Sequence, residues 1–291
     1  MAKELGVDIG GTKIRIAIVE QDGRLSFDKK IPTELPLYPY LEQQLLGVLA
    51  DHPEIEAIGI GTHGFIDPVK GYVIYATETL PGWTGTPVKR LLEKATGRRV
   101  EVDNDANCAA LAEAKFGAAK GYSRIVCLTL GTGLGGGILW DGKLLNGGPH
   151  GGAAEIGHMI LHPGGVRCTC GRRGCFEQYL SGTALKRKIW EAELKISPQQ
   201  LFESAQSDKQ AARISDEFTT DLAVAISTLQ AAFDMEVLVI GGGVSDSAPL
   251  WIDQMTEKLK GLQLHPLDIR IAHFGNEAGV LGAALLVQDN G

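Results

Sequence analysis

Leu5-Gly6-Val7-Asp8-Ile9-Gly10-Gly11-Thr12-Lys13 is the first apolar run of the sequence, and Leu128-Thr129-Leu130-Gly131-Thr132-Gly133-Leu134-Gly135-Gly136-Gly137 repeats its design near the middle. In each, an apolar run of strand type enters a glycine turn. It leaves as a second apolar run, Ile14 to Val19 and Ile138 to Trp140, closed by Asp22-Gly23 and Asp141-Gly142. The pattern predicts two β-hairpins whose tips expose backbone N–H groups. Glycine lets such a backbone approach an anion closely, and successive N–H groups in a turn form a concave anion site. Two such tips facing each other would hold a polyphosphate.

The repetition reaches beyond the hairpins. A glycine-ended strand follows each one, Ala57 to Gly61 in the first half and Val237 to Gly243 in the second. Each half then has a strand running into a helix. In the first this is Arg99 to Val102, the polar run Asp103-Asn104-Asp105-Ala106-Asn107, and a helix over Cys108 to Phe116. In the second it is Ile269 to Ala272, Asn276-Glu277-Ala278, and a helix over Gly279 to Val287. Two similar halves predict two lobes and a cleft between them.

At 291 residues the chain can form about two domains, each with its own core. Apolar content of 44% and charged content of 22% are those of a globular protein. The net charge of −7 argues against nucleic acid or an anionic membrane as partner, so phosphate has to be met by local backbone donors and a metal. No run has the length of a signal peptide or a membrane span, and five cysteines, three of them between 168 and 175, suggest metal ligation rather than a disulfide framework. Both features lead to the expectation of a cytoplasmic protein.

Two segments, Gly59 to Gly64 and Gly131 to Gly136, fit the spacing G-x-G-x-x-G. That spacing serves a dinucleotide only where the last glycine opens a helix, and neither does, so nicotinamide and flavin are set aside. No P-loop occurs. Lys13 could add a point charge beside phosphate. Asp8, next to the first tip, would sit there as an unpaired anion unless a Mg²⁺ bridged it to the phosphate, through water.

Four polar acceptors in the five positions 103 to 107 exceed what a helix cap requires, and the surplus is expected to face a substrate at the carboxyl end of its strand. His158 with Cys168, Cys170 and Cys175 makes a closed Cys₃His set, the composition of a structural zinc site. Cys108 and Cys127 read as small core residues. His52, His63, His150, His162, His265 and His273 lack such partners in sequence and receive no catalytic role. Glu155, in Gly151-Gly152-Ala153-Ala154-Glu155-Ile156-Gly157-His158, and Glu177 flank the cysteine loop; carboxylates held by a rigid loop can bind vicinal sugar hydroxyls.

On Asp8-Ile9-Gly10-Gly11-Thr12-Lys13, the run 103–107, Leu130 to Gly137, Glu155-Ile156-Gly157-His158, Cys168-x-Cys170-Gly171-x-x-Gly174-Cys175-x-Glu177 and Gly241-Gly242-Gly243-Val244-Ser245, the sequence resembles the sugar kinases of the ROK family (repressor, open reading frame, kinase) over nearly its full length. The resemblance implies an α/β, two-lobed actin-like (ribonuclease H-like) ATPase fold and ATP-dependent phosphorylation of a hexose at its 6-hydroxyl. It implies that Asp105 is the catalytic base. Gly64, Asn104, Asp105, Glu155, His158 and Glu177 would hold the sugar, with His158 also a zinc ligand. Asp8, Gly10, Gly11, Thr12, Lys13, Gly131, Thr132 and Gly133 would cradle the ATP phosphates, and Gly241, Gly242, Gly243 and Val244 would border the adenosine. Family members with Leu80-Pro81-Gly82-Trp83 are often glucokinases. Thr62-His63-Gly64 departs from the small or proline-containing triplet common there. Glucose is therefore the first expectation, with N-acetylglucosamine, N-acetylmannosamine and fructose as alternatives.

Two other classes remain to be weighed. Repressors of the family carry a helix-turn-helix ahead of the first glycine loop, where this sequence already begins its strand by about residue 4. A sugar-binding regulator without catalysis would be expected to lack Asp105 or the phosphate loops, and this sequence keeps them. The expected lobes are 1–116 with 277–291, and 117–276 with the zinc loop and adenosine site. The resemblance further suggests a homodimer.

Overall fold

The computed structural model describes residues 3–146, 152 and 154–288. Of the sequence expectations, His150, Gly151, Ala153 and residues 1, 2 and 289–291 of the first lobe lie outside them. Two five-stranded sheets share one topology. The first is built from β1 (Lys3–Ile9), β2 (Lys13–Val19), β3 (Leu25–Pro32), β4 (Ile55–Thr62) and β7 (Arg99–Asn104), in the order β3-β2-β1-β4-β7. The second comprises β8 (Arg124–Leu130), β9 (Leu134–Trp140), β10 (Lys143–Leu144), β11 (Val237–Gly241) and β12 (Asp268–Ile271), in the order β10-β9-β8-β11-β12. In both, the first three strands of the half pair antiparallel and the last two join in parallel. The duplication read in the sequence is thus a duplication of sheets. A short hairpin of β5 (Phe65–Asp67) and β6 (Tyr72–Tyr75) extends from the end of β4.

Helices α1 (Leu37–Asp51) and α2 (Val88–Thr96) belong to the first half, and the first sheet's core includes Leu41, Leu45 and Leu92. Helices α4 (Glu177–Leu180), α5 (Gly182–Glu191), α6 (Pro198–Ser204), α7 (Lys209–Phe233) and α8 (Ile252–Lys260) surround the second, where Phe202, Phe218 and Trp251 stack edge to face. Helix α7 starts at Lys209, where the Asp208 side chain caps it by accepting from Gln210 and Ala211 N–H.

The two remaining helices lie between the sheets. Helix α3 (Asp105–Lys115) follows a strand of the first sheet but packs on β8 and β9 of the second; α9 (Ala278–Leu285) follows the second sheet and packs on β1, β2 and β4 of the first. They also pack on each other, closely enough that a Cβ on Gly282 would lie 1.6 Å from the Cys108 carbonyl oxygen. A Cβ on Gly59 would lie 1.7 Å from the Ala283 carbonyl oxygen. Both contacts are with backbone, which cannot move aside. Gly282→Ala is therefore expected to cost about 3 kcal/mol or more in a denaturant melt, the upper end for overpacking, whereas Gly47→Ala on α1, with open space around it, should raise stability slightly.

The glycine run Gly135-Gly136-Gly137 corrects one expectation. Only Gly131 to Gly133 form the second tip; the next three glycines lie in β9, where a Cβ on Gly137 would come within 2.6 Å of the Ala110 side chain. Gly135 and Gly137 bring α3 against the sheet, Gly136 faces Ile156 on the other side, and none of the three has a part in the turn.

Candidate active site

The two hairpin tips form where the sequence puts them. Gly10 N–H donates to Lys13 O (2.9 Å) and Gly131 N–H to Gly133 O (3.0 Å), closing each turn. Among the described residues, the N–H groups of Gly11, Thr12, Thr132 and Gly133 have no acceptor within the chain. They are donors available to an anion. Lys13 is exposed and forms no ion pair among these residues. The second tip is braced by α5, whose Gly182 N–H donates to Gly131 O (2.8 Å), and by Val244 N–H on Leu130 O (2.9 Å). Beside it opens a cavity of about 700 Å³, lined by Gly131, Thr132, Gly242, Gly243 and Val244 from the expected nucleotide set, together with Gly182, Thr183 and Phe202. Gly241 is buried at the end of β11 and Gly133 sits against Glu177, so neither lines it. Thr183 and the α6 residues were not expected from the sequence. Their local signals were the cap Ser181 before Gly182 and, for α6, Ser197-Pro198 with Gln200.

The run 103–107 divides its work differently from the expectation that its surplus acceptors face substrate. Asp103 and Asn107 are buried and bond each other, Asn107 Nδ2 donating to Asp103 Oδ1 at 2.9 Å. Asn104 Oδ1 caps α3 through Ala106 N–H (2.8 Å) and Asn107 N–H (3.3 Å), while its Nδ2 donates to Gly64 O (3.0 Å). That leaves Asp105 as the carboxylate of the run with no side-chain partner. It stands on the first turn of α3, where aligned N–H groups favour negative charge.

Other carboxylates converge on it. Burial, with the charge of Asp105 next, pushes Asp8 up to about 7. Burial likewise raises Glu155 to about 7, with Asp105 and then Glu177 adding to it. Glu177 accepts from Leu134 N–H at 3.1 Å, which ties the cysteine loop to the strand leaving the second tip. Asp8 accepts no hydrogen bond among the described residues and lies against the start of α9, where a Cβ on Gly279 would be 2.7 Å from its Oδ2. A carboxylate of that kind beside free N–H donors fits a site for a divalent cation and phosphate together.

Both raised groups hold their protons longer in the folded state than in the unfolded one, so stability should fall as pH rises from about 4 through about 7 and level off above. The melting temperature of the ligand-free chain, followed across that window, checks this. Asp8→Asn should flatten the slope.

His158, Cys168, Cys170 and Cys175 place their ligand atoms within 4.8 Å of one another, with Cys170 and Cys175 sulfurs 3.6 Å apart and Cys168 Sγ 3.7 Å from His158 Nδ1. A zinc tetrahedron with Zn–S near 2.3 Å has edges of about 3.8 Å, so the set fits that ion. Burial lowers the His158 pKa, keeping its imidazole neutral as a ligand must be. Burial opposes ionisation of Cys170, but hydrogen bonds from Arg172 outweigh it and hold that thiol below its usual range. Burial pushes the Cys175 thiol up to about 12, the adjacent sulfurs adding to it, so three thiolates at this distance need a cation among them.

Residues 4–290 match the model of the ROK family. A glucokinase of Streptomyces coelicolor is 34% identical over 99% of this chain and 98% of its own length. An N-acetyl-D-glucosamine kinase of Aliivibrio fischeri is 32% identical over 97% of this chain and 98% of its own. A ROK family glucokinase from Streptomyces griseus, solved in complex with glucose and AMPPNP, superimposes with a TM-score of 0.83 at 34% identity, covering 99% of this chain and 100% of that one. With repeated sheets, helices exchanged between them and the Cys₃His loop in place, the chain has the two-lobed actin-like fold and belongs to the ROK family.

Proposed function

We propose that this chain transfers the terminal phosphoryl group of ATP to the 6-hydroxyl of a hexose, with glucose as the preferred sugar. The observation that carries this reading is Asp105: a carboxylate at the head of α3 that accepts from Ala106 N–H but has no side-chain partner among the described residues, near enough to Asp8 and Glu155 to raise both. The glycine tips join strands of the two sheets, and each carries N–H groups with no acceptor among the described residues. Asn104, Glu155, His158 and Glu177 would hold the ring hydroxyls, and the backbone of Gly64 would support Asn104.

In the step itself, the sugar oxygen forms its bond to the γ-phosphorus as the bond from that phosphorus to the ADP oxygen breaks. The hydroxyl proton passes to Asp105. A carboxylate is a weak base for an alcohol, but phosphoryl transfer is largely dissociative, so the nucleophile needs aim more than early deprotonation. Asp105 supplies the aim and takes the proton late. Mg²⁺, held through water by Asp8, would supply charge neutralisation on the phosphates. The N–H groups of Gly11, Thr12, Thr132 and Gly133 would stabilise phosphate charge in a geometry already set by the turns.

The zinc set would act through position, holding Glu177 and His158 at one end of the cysteine loop. We take the lobes as 1–116 with 277–291 and 117–276, rotating where α3 meets α9. The unpaired thiols suit a reducing cytoplasm, and a homodimer is the state that sizing in solution should find. The test of function is ADP release with Mg-ATP over a panel of hexoses. Glucose should give the highest kcat/KM. Preference for N-acetylglucosamine, as the name of the Aliivibrio relative would suggest, would correct the sugar; no turnover with any hexose would overturn the reading.

A further inference from the structure

His63 directly follows β4, between two residues that are each held in place. Thr62 is wholly buried and its Oγ1 accepts from Trp83 Nε1 at 2.9 Å. Gly64 has φ 118°, a conformation suited to glycine, and a Cβ there would lie 2.3 Å from the Tyr75 carbonyl oxygen. The Gly64 carbonyl also accepts from Asn104, the cap of the helix that presents Asp105. The position of His63 relative to Asp105 is thus set by the hydrogen bonds of its two neighbours to Trp83 and Asn104.

The imidazole is held as well. Its Nε2 lies 3.1 Å from Thr77 Oγ1, which in turn lies 2.7 Å from Thr79 Oγ1. Thr79 packs on the first glycine tip, its Cβ 3.3 Å from where a Cβ of Gly11 would be. The half-buried ring therefore has one nitrogen engaged by a pair of hydroxyls, while Nδ1 has no partner among the described residues. Phe65, two residues on, reaches His158 edge to face at 6.3 Å, so the segment that carries His63 stands beside that imidazole. Because each threonine hydroxyl can donate or accept, the chain of hydroxyls can run in either sense, and Nδ1 can be donor or acceptor. A sugar hydroxyl suits both.

We propose that His63 contacts a ring hydroxyl of the hexose through Nδ1 and helps set which sugar this chain accepts, with Thr77 and Thr79 positioning its ring. The proposal rests on the hexose kinase reading above. A purely structural His63 would hold only Thr77, and substitution would then cost the same with every sugar.

The experiment compares the unaltered chain with His63→Ala, His63→Asn and Thr77→Val on glucose and its four monodeoxy analogues lacking the 1-, 2-, 3- or 4-hydroxyl. With glucose, His63→Ala should lower kcat/KM about 10- to 100-fold, the effect of losing a hydrogen bond and leaving its partner unpaired, and should do so mainly through KM. For the one analogue lacking the contacted hydroxyl, the same substitution should cost less than about 2-fold, since the interaction is already gone. His63→Asn should recover part of the loss, and Thr77→Val should show a smaller loss with the same dependence on the analogue. An equal loss with glucose and all four analogues, or no loss with glucose, overturns the proposal alone. No turnover of any hexose by the unaltered chain overturns the kinase reading and the proposal with it.

Discussion

Asp105→Ala is expected to lower kcat by about 10²- to 10⁴-fold, the range for removing a positioned acid or base, while the sugar dissociation constant changes only several-fold. The asymmetry follows from the division of labour at the head of α3. Asn104 caps the helix and braces Gly64, and Asp103 with Asn107 closes a buried pair, so none of these depends on the Asp105 side chain. The helix should survive its loss. Glu155, His158 and Glu177 remain to hold the sugar, and what disappears is the group that aims the 6-hydroxyl. Calorimetric sugar binding beside steady-state turnover checks this; full turnover in the variant would remove the assigned base. A second readout is independent of activity. Asp105 helps to raise Asp8 and Glu155, so in Asp105→Asn both should fall toward ordinary carboxylate values, and the decline of stability between about pH 4 and 7 should become shallower.

Cys175→Ser is expected to fail in a different way. Cys175 is fully buried, its sulfur 3.6 Å from that of Cys170, and the turn around it is closed by Gly174 N–H on Val166 O and Leu161 N–H on Gly174 O. Structural zinc contributes about 10–16 kcal/mol of apparent binding energy in peptides that fold around it, so a loop losing one ligand should lose both metal and shape. Glu177, two residues on, carries that loss to Leu134 N–H and the second tip. We expect a zinc content near zero by elemental analysis, a lower melting temperature, sugar binding too weak to measure, and kcat/KM reduced by about 10³-fold or more. Retention of sugar affinity in a zinc-free variant would show that the loop holds its carboxylates without the ion. The contrast with Asp105→Ala is informative: one variant should bind and not turn over, the other should do neither.

Much of this site was legible in the sequence because its parts are local. A glycine tip needs only a short apolar strand on either side, and the four zinc ligands lie within eighteen residues. What the sequence could not apportion was the run 103–107. Whether Asn107 faces a ligand or Asp103 depends on which side of α3 is covered, and α3 is covered by the second sheet. The same holds for Gly135 to Gly137, which resemble a turn by composition but lie in β9, where Gly135 and Gly137 make the flat surface under α3 and Gly136 lies under Ile156. His63 was passed over because its partners, Thr77 and Thr79, come near only through the β5–β6 hairpin that follows β4.

The sequence by itself determined the doubled hairpins, the Cys₃His set and the acidic residues available for chemistry, because each is written in spacing over a few residues and backbone sterics convert spacing into shape. Only the tertiary structure decided that α3 passes to the second sheet as α9 does to the first, and so which carboxylates face one another. Close helix packing on glycine fixes that arrangement, and the repulsion of Asp105 with Asp8 and with Glu155 depends on distances that no stretch of sequence contains.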